Sequence, residues 1–180
     1  MKYDEGFIDR LVNILSKNNV LKKKDVDVLK EEFKKRSDIA FEAFLVEENI
    51  AEKDDVLQAL QEYYDIPSID IGGEFLDNHL LTMFPKDVLW RYCFVPYERD
   101  GVTLVVVAAT PDNPELLDVI GRYVSYDVTM MVGYCNDIKT QIDEYYDKAL
   151  TEETAEDNLR EEHEEEREVE AIKEGTIESD

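Results

Sequence analysis

An α+β fold is predicted for this chain: a helical N-terminal part, a small three-stranded sheet flanked by helices, and an acidic C-terminal tail. Three observations predict it. Apolar residues recur at helical spacing through residues 1–66. Two apolar runs flank Asp100-Gly101, a strong local hairpin signal. After Lys148 the composition changes, and residues 151–180 hold 14 acidic against 3 basic side chains.

The helical part, residues 1–66, reads as two helix-turn-helix pairs. Asn19-Val20-Leu21-Lys22-Lys23-Lys24-Asp25-Val26 parallels Asn49-Ile50-Ala51-Glu52-Lys53-Asp54-Asp55-Val56 thirty residues on. Ile14 and Leu15 keep the same offset to Phe44 and Leu45. Asn19 and Asn49 are expected just past a helix end, where Asn tolerates the left-handed conformation. Asp25 and Asp55 are expected in the first turn of the next helix, favourable against its dipole. Leu11, Ile14 and Leu15 make one apolar stripe; Val56, Ala59, Leu60 and Tyr63 make another. Two amphipathic helix pairs can also look alike by composition alone, and that reading stays open.

Pro67 and Gly72-Gly73 mark a short linker, so two subdomains in contact are expected. Residues 67–150 form the α/β part. Residues 84–92 read as a short helix started by Pro85. Residues 93–97 and 102–109 read as an antiparallel strand pair. Thr110 to Pro114 opens a helix, with Asn113 as N-cap and Pro114 at its first position. Residues 127–132 make a third strand whose direction is open, and a helix follows over about 137–148. The tail, residues 151–180, is rich in Glu and Arg and is expected to be a solvated helix fraying into disorder.

The net charge of −24 argues against nucleic acid and anionic membrane surfaces, which need a basic footprint. It suits a basic protein partner. The N-terminus lacks an apolar leader segment, and the longest apolar run, Val102 to Ala109, is strand-length, so a cytoplasmic location and no direct membrane insertion are expected. Cys93 and Cys135 form no CxxC pair, so a zinc reading fails. They are expected to be buried free thiols in a reducing compartment, though they could meet in space. His79 and His163 lie far apart, and no nucleophile–base arrangement stands out. Glu164-Glu165-Glu166 reads as a solvated charge run. No catalytic residue, metal site or cofactor is expected. Trp90, Tyr92 and Tyr97 are the aromatics singled out as a protein interface.

One stretch carries a family resemblance. Leu104-Val105-Val106-Val107-Ala108-Ala109-Thr110-Pro111 follows a lead-in of Pro, helix, aromatic, strand and Pro. Ser125-Tyr126-Asp127-Val128 opens the next strand, and Ile138, Ile142 and Tyr145-Tyr146 mark the closing helix. This pattern resembles the N-terminal domain of type II secretion and type IV pilus assembly ATPases, the GspE N-terminal or MshEN type, over residues 8–148. Thr110 stands where that family has Asp, and Ser125 where it has Gly. Full-length members carry a P-loop. No G-x-x-x-x-G-K-[ST] occurs here, so ATP hydrolysis is not expected, and the chain reads as a stand-alone relative without the motor. The resemblance implies a noncatalytic adaptor or regulatory role. The implied partner is a secretion or pilus ATPase or its inner-membrane platform protein.

The same resemblance implies a ligand, cyclic di-GMP, held by tandem motifs of Arg-Leu-Gly, spaced leucines, a second Gly with two aliphatics, and Gln. The first copy begins at Arg10-Leu11 and keeps Leu15, Val20 and Leu21, with Val12, Asn19 and Phe33 at the two Gly positions and the Gln position. The second keeps Leu45, Ile50 and Ala51, with Ala40 for Arg, Glu42 and Asn49 for the glycines, and Tyr63 for Gln. Polar contacts are lost and packing is kept, and a Glu beside a dianion repels it. Cyclic di-GMP is therefore not expected to bind. The alternative is a sensor with degenerate motifs, using Arg10, Leu11, Leu15, Asn19, Val20 and Leu21. A basic pocket around Arg10 would favour that sensor; a dry helix–helix seam would favour the adaptor. An enzyme of another type would need converging polar groups that the chain does not advertise.

Overall fold

The computed structural model describes residues 4–36 and 38–177. Helix α1 (Glu5–Lys17) starts at Asp4, whose carboxylate accepts from the Gly6 amide at 2.9 Å. Its residues Ile8, Leu11, Val12 and Leu15 recur every three or four positions and are buried together. A 3-10 turn (Lys23–Asp25) leads into α2 (Val26–Lys34). Then come α3 (Phe41–Glu47) and α4 (Lys53–Tyr64).

The thirty-residue repeat is physical. Asn19 has φ 61° and Asn49 φ 53°, both left-handed. Around Asn19, the Val20 amide donates to the Leu15 carbonyl at 2.9 Å and the Leu21 amide to the same oxygen at 3.3 Å. Around Asn49, Ile50 and Ala51 donate to the Leu45 carbonyl at 2.9 and 3.1 Å. These bonds satisfy carbonyls that a helix end leaves open, and they need a residue that accepts positive φ. Asn49→Ala is expected to destabilise by about 1 kcal/mol, because a Cβ without a local polar partner disfavours this conformation. Asn49→Gly is expected to cost nothing or to stabilise slightly. Urea melts of the two variants check this, and an Ala variant as stable as the Gly variant would contradict it.

Leu11, Leu15, Leu45, Val56 and Leu60 form the centre of the helical core, with Phe33, Phe41 and Phe44 packed ring to ring. Val132 of the sheet belongs to the same cluster, so helices and sheet share buried surface. Lys53 adds a polar tie between α4, the linker and the last helix: its ammonium lies 3.0 Å from Asp70 and 2.9 Å from Asp137.

Short helices α5 (Asn78–Leu81) and α6 (Lys86–Tyr92) precede the sheet. Strands β1 (Phe94–Asp100) and β2 (Thr103–Ala108) are antiparallel, joined at Gly101, whose φ of 57° suits the tight turn. The register shifts between Pro96 and Glu98, a bulge in an edge strand that tolerates proline. After α7 (Leu116–Gly121), β3 (Asp127–Val132) pairs with β2 in parallel, which decides the direction left open by the sequence. The order is β1-β2-β3. Ser68 bridges Val132 on the outer side of β3.

Some boundaries differ from expectation. Pro85 caps α6 rather than entering it, and α7 begins at Leu116, two residues after Pro114. Glu115, not Asn113, is the N-cap residue; the Asn113 side chain accepts from the Glu115 amide at 3.0 Å in the turn just ahead of the helix. Asp25 lies in the 3-10 turn just ahead of α2. The last helix, α8 (Cys135–Ile177), starts two residues early and runs on through the acidic segment. No proline interrupts it, and Glu, Lys, Arg and Ala sustain it.

Residues 1–142 form one compact unit and residues 143–180 another. Among the described residues, no helix is long and apolar enough to cross a membrane.

Candidate functional site

The two repeat turns converge. Val20 and Leu21 from the first and Ile50 from the second line one hollow of about 420 Å³, with Val26, Val28 and Leu29 of the α2 segment completing its apolar wall. That volume lies in the range of small-molecule sites. Lys22, Asp25 and Glu32 supply its polar groups. Lys23 and Lys24 follow directly in the chain and are exposed.

Charge is unevenly distributed around this hollow. Residues 1–36 hold ten of the chain's 20 basic side chains and seven acids, a balance of +3 in a chain of −24. Residues 37–66, which carry the second repeat, hold nine acids and one base, so the positive balance belongs to the first repeat alone.

A second hollow, about 390 Å³, gathers residues of the second motif. Ala40, Glu42 and Tyr63 line it with Tyr64, Tyr92, Arg91, Cys93 and Cys135. Glu42 is 8% exposed, and burial pushes its carboxyl above the usual carboxylate range, offset only in part by its own backbone N–H. Burial likewise raises the Tyr64 phenol, which stays a protonated donor. Tyr134 is pushed up to about 12, again mainly by burial.

The residues singled out in sequence separate into three groups. Leu11 and Leu15 are fully buried and serve as scaffold, not as contact surface. Val20 and Leu21 face the first hollow, and exposed Asn19 sets the turn that carries them. Arg10 is exposed on α1, its guanidinium 5.6 Å from the centroid of the Tyr63 ring. It sits in neither a basic pocket nor a dry seam; it makes a cation–π pair linking the first position of one motif to the last of the other. Of the aromatics, Trp90 is 39% exposed with the Lys139 ammonium 5.0 Å from its ring centroid. Tyr92 and Tyr97 are half-buried, and the Tyr97 hydroxyl donates to Glu74 at 3.0 Å.

Sequence reasoning missed one feature and left a second open. Glu42 was read as a repelling charge, whereas it is buried in α3 on the face beside Phe41 and Leu45. The two cysteines, 42 positions apart, come together with Sγ atoms 2.7 Å apart. Among the described residues, no group of three or more His, Cys, Asp or Glu side chains could hold a metal ion.

Residues 64–152 match the MshEN domain family. This segment is similar to the MshEN domain, and the chain resembles the N-terminal domains of secretion and pilus assembly ATPases. It is 24% identical over 137 residues to the type IV pilus assembly ATPase PilB of Myxococcus xanthus strain DK1622, covering 76% of this chain and 24% of that protein. The chain thus spans about a quarter of its curated relative. A structure of MshE with cdg (cyclic di-GMP) has a TM-score of 0.59 at 16% identity, covering 76% of this chain and 99% of that one. The N-terminal domain of XpsE has a TM-score of 0.53 at 18% identity, covering 75% and 92%. At these identities the likeness is one of fold.

One expectation is corrected by this. Cyclic di-GMP was not expected as a partner, yet the fold is that of MshE, whose structure holds it. The physical grounds of the expectation also weaken. Burial favours the uncharged form of Glu42 rather than a repelling carboxylate. Asn19 and Asn49 hold the left-handed backbone that glycine would supply. The first repeat, within residues 1–36, is locally basic despite the acidic whole.

Proposed function

We propose that this chain is a noncatalytic regulatory module, related to the N-terminal domain of a secretion or pilus assembly ATPase, that takes cyclic di-GMP between its tandem repeats. The observation that carries the reading is the shared hollow: Val20 and Leu21 of one repeat and Ile50 of the other line a single apolar wall with Lys22 among its lining residues. Aliphatic walls seat purine faces, and lysines near the mouth meet phosphates. Arg10, over the Tyr63 ring and outside the lining of this hollow, offers a planar cation for a phosphate or a guanine. MshE with cdg, of the same fold, supports the choice of ligand.

Calorimetric titration of the full chain with cyclic di-GMP tests it. Micromolar binding is expected, weakening with salt and falling about tenfold or more in Lys22→Glu, since a reversed charge within about 10 Å of a dianion is poorly screened. Arg10→Ala is expected to weaken binding by a smaller factor. No heat at high ligand, or binding indifferent to both substitutions, would remove this reading.

A second reading, docking to a protein of the motor or its platform, is favoured by exposed Trp90 with its Lys139 partner. An aromatic anchor beside a cation suits an interface. Tyr92 and Tyr97 would serve at its margin.

A further inference from the structure

We propose that Cys93 and Cys135 are a redox site, a dithiol that closes into a disulfide when a peroxide enters the hollow both residues line. Their Sγ atoms lie 2.7 Å apart, within about 0.7 Å of a disulfide bond length. The pair joins two elements far apart in the sequence: Cys93 ends α6, and Cys135 opens α8. Cys93 has φ 47°, a conformation uncommon for a residue with a side chain. An oxidant has a route to the pair, because both cysteines line the hollow of about 390 Å³ bounded by Tyr64, Tyr92 and Arg91.

The two thiols are unequal. Cys135 is less buried than Cys93 and stands at the N-terminal end of a long helix, where partial positive charge favours a thiolate. The Cys93 thiol beside it pulls the Cys135 thiol below its ordinary range, with help from Lys139 one turn along and against the opposing effects of burial and Glu42; the Cys93 thiol is raised by the same contact and by burial. Cys135 is the nucleophile and Cys93 the resolving thiol. The Cys135 thiolate attacks one peroxide oxygen, the O–O bond breaks, and hydroxide leaves as water after taking a proton. The resulting Cys135 sulfenic acid is attacked by the Cys93 sulfur; the S–S bond forms, the S–O bond breaks, and a second water leaves with the Cys93 proton. Two thiols give up two electrons, which the peroxide accepts. A dithiol reductant reverses the step by exchange. The site requires nothing of the ligand hollow between the repeats.

The test uses the reduced full chain treated with hydrogen peroxide, then alkylated and measured by intact mass, peptide mapping and thermal melting. The expected result is joint loss of both thiols in one intramolecular disulfide, reversed by dithiothreitol, with a melting temperature higher by on the order of 10 °C. Cys93→Ser is expected to stop at a sulfenic acid on Cys135 that dimedone traps. Cys135→Ser is expected to react at least about tenfold more slowly. A disulfide between two chains, or oxidation of one cysteine alone in the wild type, would overturn the proposal. Equal rates for the two variants would overturn the roles assigned. The wild-type measurement decides the disulfide itself even if a serine variant fails to fold.

Discussion

Leu45→Ala is expected to destabilise the protein by about 3–5 kcal/mol. Leu45 is fully buried in the middle of the helical core, and truncation removes its apolar contacts and leaves a cavity that α3 and α4 can only partly close. Its backbone carbonyl also accepts from Ile50 and Ala51, so collapse around the cavity would strain the turn carrying Ile50 into the hollow. A fall in melting temperature on the order of 10 °C follows for a chain of this size. Leu15→Ala, at the equivalent place in the first repeat, is expected to cost about as much. Urea unfolding of both variants is the measurement. A cost below about 1 kcal/mol at either site would mean that the repeat does not build its core in the same way twice.

Glu42→Gln is expected to stabilise the protein at neutral pH and to flatten its dependence on pH. Burial raises the folded-state pKa of Glu42, so the folded chain holds this proton more tightly than the unfolded chain. The stability that the protonated carboxyl contributes is fully present below the unfolded carboxylate value and is lost as pH rises through the folded value. Between those two values the wild type loses about 1.4 kcal/mol per pH unit from this group alone. The amide has no such loss. Many other carboxylates titrate in this chain, so the informative quantity is the difference between wild type and variant at each pH. That difference is expected to grow from mildly acidic to neutral pH in urea melts. A difference that stays constant would show that Glu42 finds solvent or a partner when it ionises.

Much of the architecture was legible because it follows from local rules. The apolar stripe of Leu11, Ile14 and Leu15 forms a helix by its spacing, although Val12 rather than Ile14 is among its buried residues, and Asp100-Gly101 between apolar runs makes a hairpin by its turn preference. The asparagines at 19 and 49 carried the turn geometry in their own chemistry, since few residues accept positive φ so readily. The parallel pairing of β3 with β2 was not legible, because a strand's direction depends on how the chain returns through α7 rather than on its own residues. The full extent of α8 was only partly legible, as propensity favours helix through the acidic segment without stating where it ends.

The site was less readable than the fold. Charge counted over the whole chain hid the balance of +3 in residues 1–36, and only a regional count reveals it. Glu42 looked like a solvated acid because a sequence does not say which face of a seven-residue helix is covered when Phe41, Phe44 and Leu45 occupy much of it.

By itself the sequence determined the helical repeats, their left-handed turns, the hairpin and the family likeness, because each depends on side chains close together in the chain. Only the tertiary structure decided that Val20, Leu21 and Ile50 share one wall, that Arg10 meets Tyr63, that Glu42 loses its solvent, and that Cys93 meets Cys135. Those pairings join residues dozens of positions apart, and they exist only once the shared core around Leu45 and Val132 has brought the repeats and the sheet together.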